Sequence, residues 1–234
     1  MTYGIFDSGE GGANLLRFAR EKNKADDIIF LCDRGRAPYG TKRDYELSGI
    51  VNENVDRLKK MGAEEVIIAC CTACTVFDRI ENVEDVYPIL SETAKRAEEV
   101  STDRIAVIAT GRTVSSHAFA NAIKAKDVIE IEAQPLLGII DGCECDECYS
   151  PSTERLLYDL LRGCIGADTL ILGCTHFSSL RNLIKRVGES FGIRRIIDSA
   201  EVGAELIRKA DGDGGVDYIF KTKRTPTPSS DPNH

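Results

Sequence analysis

Short apolar runs that end in a polar residue or a glycine, each followed by a longer stretch of helical spacing, recur along almost the whole chain. That alternation admits few folds. Residues 3–6, 28–32, 65–69, 104–109, 128–133, 169–172 and 195–197 read as strands, with a weaker candidate at 86–90. Strands joined through helices form α/β units around a mainly parallel sheet, because a parallel connection needs a crossover and a helix supplies it. The clearest helix runs over 43–61, where Leu47, Ile50, Val51, Asn54, Val55 and Leu58 recur at spacings of three and four before Gly62 closes it.

Two strand ends look alike: Val66-Ile67-Ile68-Ala69-Cys70-Cys71-Thr72 and Leu170-Ile171-Leu172-Gly173-Cys174-Thr175-His176. Their cysteines lie one small α/β domain apart, which points to two related halves. The expected fold is therefore α/β, with two similar three-layer domains, mainly parallel sheets and an active site in the cleft between them. Residues 1–92 with about 199–210 would make the first domain and 93–198 the second, with a hinge near 90–95. From 211 to 234 proline, serine and charge replace periodicity, so this tail is expected to be disordered.

The 234 residues carry 38 acidic against 30 basic side chains, a net charge of −8, which disfavours broad capture of nucleic acid or of an anionic membrane. A small-molecule partner fits better. The N-terminus lacks the basic and apolar regions of a signal peptide and no run of about 18 apolar residues occurs, so a cytoplasmic location is expected. Nine cysteines, an odd count, then read as reduced thiols and not as a disulfide framework.

In open α/β sheets function gathers beyond the carboxyl ends of the strands. Asp7-Ser8-Gly9, Asp33 with Pro38-Tyr39-Gly40, Cys70-Cys71-Thr72, Thr110 to Thr113 and Cys174-Thr175-His176 all stand there. Each of Cys70 and Cys174 precedes an expected helix start, where the helix dipole would lower a thiol pKa towards neutrality. A thiolate on one face of a carbon and a thiol on the other could remove and return an α-proton, inverting the centre without a cofactor. Ser8, Thr72, Thr113 and Thr175 are donors suited to the charge that develops on the carboxylate. Asp7 and His176 would assist the cysteines or contact the ammonium or carboxylate of the substrate.

These residues resemble the glutamate racemases of the aspartate/glutamate racemase superfamily. G-I-F-D-S-G-x-G-G at 4–12, D-x4-P-Y-G at 33–40, I-A-C-x-T-A at 68–73, I-A-T-x-x-T at 108–113, L-G-C-T-H at 172–176 and I-D-S at 197–199 occur in family order. The resemblance implies cofactor-independent, two-base interconversion of L- and D-glutamate for peptidoglycan, with Cys70 and Cys174 as acid and base and Asp7 and His176 as helpers. It places Asp7, Ser8, Tyr39, Gly40, Cys71, Thr72, Thr113, Thr175 and His176 around the amino acid, and homodimers are common among such proteins. His176, where aspartate racemases usually carry Glu, leans towards glutamate.

Cys71 stands where the family usually has Asn, and Gly111-Arg112 departs from the usual Gly-Thr ending. The first change leaves two alternatives: a racemase of aspartate, a hydantoin or another small α-acid, or a ligand-binding paralogue without turnover. Cys143, Cys145 and Cys148 offer three soft ligands where structural zinc usually takes four, so that stretch reads as a solvated acidic loop and no metal is expected. Glycines 9, 11 and 12 lack the full phosphate-loop pattern.

Overall fold

A computed structural model describes residues 1–22, 27–141, 150–208 and 217–221; the Cys143, Cys145 and Cys148 stretch lies outside them. Among the described residues the strands are β1 (Thr2–Asp7), β2 (Asp27–Cys32), β3 (Glu65–Ile68), β4 (Val86–Pro88), β5 (Arg104–Ala109), β6 (Val128–Glu132), β7 (Ala167–Gly173), β8 (Arg195–Asp198) and β9 (Asp217–Lys221). The helices are α1 (Gly12–Glu21), α2 (Asp44–Lys60), α3 (Cys71–Cys74), α4 (Ile89–Val100), α5 (Gly111–Ser115), α6 (Ala118–Ala122), α7 (Gln134–Asp141), α8 (Pro151–Leu161), α9 (Arg181–Glu189) and α10 (Ser199–Leu206). Every pairing among these described strands is parallel.

The strands form two sheets, ordered β4-β3-β1-β2-β9 and β6-β5-β7-β8. Read in its own chain order, each contains the same arrangement of fourth, third, first and second strand, so the two halves repeat one topology. The fifth strand of the first sheet is β9, which continues the register of β2 from Ile28 opposite Asp217 to Cys32 opposite Lys221. This corrects the expected disorder of 211–234 for that segment. Asp-Tyr-Ile-Phe-Lys is too short for its apolar residues to show a period, and the open edge of β2 supplies the backbone partners that order it.

Helix α2 forms where its pattern places it. Leu47, Val51, Asn54, Val55 and Leu58 are buried, Asp44 and Glu46 lie in the first turn, and Arg57, Lys59 and Lys60 lie in the last, each charge matching the helix dipole. The Glu46 carboxylate accepts from the Arg43 backbone N–H at 2.9 Å, and Gly62 follows at φ +99°, a conformation that only glycine adopts without strain.

Strand β5 shows how the halves are joined. Ile105, Val107 and Ala109 face one core, which continues through α4 to β1 and β3, while Ala106 and Ile108 face a second core shared with Leu157, Leu161, Leu183 and Ile184. The two-residue period of the strand thus buries opposite faces in different places. Helix α10 returns to pack on α1, where a Cβ on Gly203 would lie 2.6 Å from Leu15 Cδ1. No described helix is long and apolar enough to cross a membrane.

Candidate active site

The repeated strand order creates the same crevice twice. In each half the first and third strands are neighbours whose outgoing connections leave in opposite directions, and ligands bind at such switch points. β1 ends in Asp7 and runs into Ser8, and β3 leads to Cys70; β5 leads to Thr110 and α5, and β7 leads to Cys174. Hydrogen bonds between the two sets place them together.

On the first side Ser8 Oγ lies 3.3 Å from Cys70 Sγ and 3.5 Å from Asp7 Oδ1, so the hydroxyl stands between thiol and carboxylate. Asp7 is buried; its Oδ1 accepts from the Gly9 N–H at 2.9 Å and its Oδ2 from the Thr175 hydroxyl at 2.9 Å. That second bond crosses to the other half. The loop carrying Ser8 and Gly9 is fixed from below, since the Cys32 thiol donates to the Gly9 carbonyl at 3.0 Å and the Asp33 N–H to the Asp7 carbonyl at 2.8 Å.

On the second side Cys174 Sγ lies 3.7 Å from His176 Nδ1. The imidazole packs over the glycine loop, where a Cβ on Gly9 would come within 3.2 Å of His176 Nε2. Asn14 of α1 donates its amide to the Thr175 carbonyl at 2.9 Å, a further tie across the seam. The hydroxyls of Thr72, Thr110 and Thr113 form a chain across the seam, Thr72 to Thr110 at 2.9 Å and Thr110 to Thr113 at 2.9 Å. Thr72, Thr113 and Thr175 are buried, as sites for fixed donors should be.

Tyr39 is buried, but its hydroxyl is occupied: it donates to Asp33 Oδ2 at 2.6 Å and accepts from Asn54 Nδ2 at 3.1 Å. Asn54 also donates to Asp33 Oδ2, at 3.1 Å, and Arg36 Nε does so at 2.7 Å. Tyr39 thus offers a ligand its ring and backbone, while exposed Gly40 follows it. Asn54 was legible only as a polar residue on the apolar face of α2. Cys71 is buried beside Ser199, whose Oγ makes no hydrogen bond of normal geometry among the described residues. Asp198, in the I-D-S motif, accepts from the Ala200 N–H at 3.0 Å and so caps α10.

Of the two thiols expected to be acidified, Cys70 is not. Burial pushes Cys70 up to about 11, with the neighbouring Asp7 charge adding to it and the Ser8 hydrogen bond opposing it. Helix α3 is one turn of four residues, too short to carry much dipole, so desolvation wins. Asp7 is raised as well by burial, against the pull of His176 and the bonds from Gly9, Thr175 and Ser8. Cys70 therefore rests as a thiol at neutral pH.

Burial also raises Cys71 and Cys74 and brings Cys164 up to about 12. An unfolded chain releases thiol protons at ~8.5, whereas the folded one keeps those of Cys70 and Cys164 until about pH 11 and 12, so the folded state binds more protons between the two. The stabilisation is complete below ~8.5 and falls as pH rises, by about 1.4 kcal/mol per pH unit for each such group. Melting temperatures of reduced protein should fall steeply from pH 9 to 11, and Cys164→Ala should flatten the fall; a flat profile in the parent would contradict the raised values.

The chain matches the family model described as Asp/Glu/Hydantoin racemase over residues 16–207. It is 36% identical over 191 residues to glutamate racemase 1 of Caldanaerobacter subterraneus, covering 79% of this chain and 71% of the relative. To the glutamate racemase of Aquifex aeolicus it is 32% identical over 236 residues, covering 94% and 88%. A crystal structure of a glutamate racemase from Bacillus anthracis superposes with a TM-score of 0.83 at 26% identity, covering 95% of this chain and 88% of that one. Matched across both repeated halves in sequence and in fold, the chain belongs to the Asp/Glu/hydantoin racemase family.

Proposed function

We propose that the protein is a glutamate racemase that interconverts L- and D-glutamate by proton transfer between Cys70, Cys174 and the α-carbon, without a cofactor. The observation that carries this reading is the pair of cysteines at equivalent strand ends of the two halves, each beside its own polar helper: Ser8 with Asp7, and His176. Residues 1–92 with about 199–210 and strand β9 act as one domain and residues 93–198 as the other, and the substrate lies between them.

For one enantiomer the Cys174 thiolate takes the α-proton and becomes a thiol. The C–H electron pair moves into the carboxylate as an enediolate, and the Cys70 thiol gives its proton to the opposite face, becoming the thiolate. For the other enantiomer the roles reverse. A positioned acid or base is worth about 10²–10⁴ in rate. Thr72, Thr113, Ser8 and Thr175, with the backbone after Tyr39 and Gly40, hold the carboxylates, and Asp7 faces the ammonium. Charge on that ammonium brings Cys70 down from its raised resting value when it must become a thiolate.

Such an enzyme supplies D-glutamate for peptidoglycan in the cytoplasm and works as a homodimer. Cys71 gives the pocket wall a thiol where an amide is usual, which weakens hydrogen bonding to the substrate's side chain. The test is polarimetry of purified, reduced protein with L-glutamate, D-glutamate and both aspartate enantiomers. Loss of rotation with both glutamates and not with the aspartates supports the reading. Turnover of aspartate alone moves the substrate to a shorter acid, and no turnover of any sample removes the racemase assignment for these amino acids.

A further inference from the structure

Arg112 sits in α5 between Thr110 and Thr113, and its side chain reaches across the seam. All three of its described hydrogen bonds end on the segment before α4: Nε donates to Thr75 Oγ1 at 3.1 Å, Nη1 to the Lys42 carbonyl at 2.7 Å and Nη2 to Asp44 Oδ1 at 2.7 Å. Asp44 is held from a second direction by Arg79 Nη2 at 2.8 Å. The Arg112 side chain is 14% exposed and that of Asp44 47%, so the guanidinium is largely withdrawn from solvent while its carboxylate partner stands at the rim.

Each acceptor adjoins a residue of the candidate site. Lys42 follows Gly40 by two positions, and Asp44 begins α2, the helix whose Asn54 anchors Tyr39. Thr75 donates its own hydroxyl to the Thr72 carbonyl at 2.8 Å, and Thr72 Oγ1 lies 3.4 Å from Thr113 Oγ1. One side chain thereby sets the Gly40 and Thr72 segments of the first half against the Thr113 segment of the second.

Cys70 and Cys174 are 7% and 8% exposed, and Thr113 is fully buried, so the walls around the two thiols are closed in this structure. Behind the site the halves share the core through α4 and β5, which leaves a hinged opening and not separation. Parting the walls at α5 breaks the three bonds of Arg112, and closing them restores all three together.

We propose that Arg112 is a positioning residue that latches the closed cleft and presets the substrate-binding walls; this rests on the site reading given above. The latch supplies part of the free energy of closure, which a substrate must otherwise provide from its own binding. Its loss therefore falls on KM. Lysine is a poor substitute, since one ammonium on a flexible stem cannot span three divergent acceptors.

The experiment uses Arg112→Met, Arg112→Lys and Asp44→Asn in the full chain. For Arg112→Met, KM for glutamate should rise about tenfold with kcat held within about twofold, Arg112→Lys should recover less than half of that loss, and Asp44→Asn should lie between Lys and the parent. Amide hydrogen exchange without substrate should quicken at 40–46 and 72–76 in Arg112→Met, with the strands unchanged and protection regained under saturating glutamate. An unchanged KM with parental exchange overturns the latch, as does a fall in kcat alone or exchange that quickens throughout the molecule. If the parent itself turns over no glutamate, the site reading fails, and the local exchange pattern alone then decides the latch.

Discussion

Replacing Cys70 or Cys174 with alanine lowers glutamate racemisation by at least about three orders of magnitude in both directions, because either loss removes one of two obligatory proton carriers. Reversal of the reaction exchanges the roles of the two thiols, so no direction survives with one of them. Both are small buried side chains at the margins of the two cores, and truncating one should cost only about 1 kcal/mol of stability. Activity and folding therefore separate. Denaturant unfolding measured beside the kinetics checks this: a variant that melts like the parent and keeps a tenth of its activity in both directions would remove that cysteine from the mechanism.

Gly11→Ala should lower kcat/KM about a hundredfold or more and destabilise the protein by about 2 kcal/mol. The backbone is not the reason, since Gly11 has φ −55° and ψ −35°, which alanine adopts readily. Space is the reason: a Cβ there would lie 2.2 Å from Thr175 Oγ1 and 2.5 Å from His176 Nδ1. Either α1 or the Cys174-Thr175-His176 loop must shift. A shift breaks the bond from Thr175 to Asp7 at 2.9 Å and moves His176 relative to Cys174. Leaving a buried carboxylate short of a donor costs about 1–3 kcal/mol, and a misplacement of about 1 Å next to the chemistry costs a further large factor in rate. Gly9→Ala is the internal control, because its Cβ would approach His176 Nε2 no closer than 3.2 Å, so its effect should be several-fold smaller. Kinetics and denaturation of the two variants check the order; equal activity of Gly11→Ala and the parent would mean that the contact between the halves is looser than described.

The parts of the site carried by strand ends are legible in the sequence because a strand that finishes in an unusual polar residue leaves few places for that residue to go. Asp7, Cys70 and Cys174 follow from the apolar runs before them, and the repeated order of the two sheets turns three separate strand ends into one neighbourhood. The apolar face of α2 and the glycine after it are equally direct. Legibility stops where tertiary burial decides the outcome. The helix dipole suggests an acidic Cys70, but the length of α3 and the burial of the thiol reverse the sign.

Tyr39 shows a second limit. A tyrosine in a polar loop offers its hydroxyl to a ligand in any sequence reading, and only the fold brings Asn54, from a helix that starts five residues later, onto that same hydroxyl. Arg112 shows a third, because nothing in a single strand end reveals a side chain directed away from its own half. Strand β9 is the last: its pairing with β2 depends on an open sheet edge and leaves no periodic trace in five residues.

The central claim is that two different thiols serve opposite faces of one carbon, and isotope transfer during the first few per cent of turnover tests it most directly. Unlabelled L-glutamate is converted in D₂O by the parent protein, and deuterium at Cα is read by NMR or mass spectrometry in both the remaining substrate and the new D-isomer. A thiol that exchanges with solvent before it donates gives D-glutamate fully deuterated at Cα while the recovered L-glutamate stays protonated, and the mirror result holds from D-glutamate. Product that retains the original α-proton, or substrate and product labelled to the same extent from the start, would show one group working both faces and would contradict the two-cysteine mechanism.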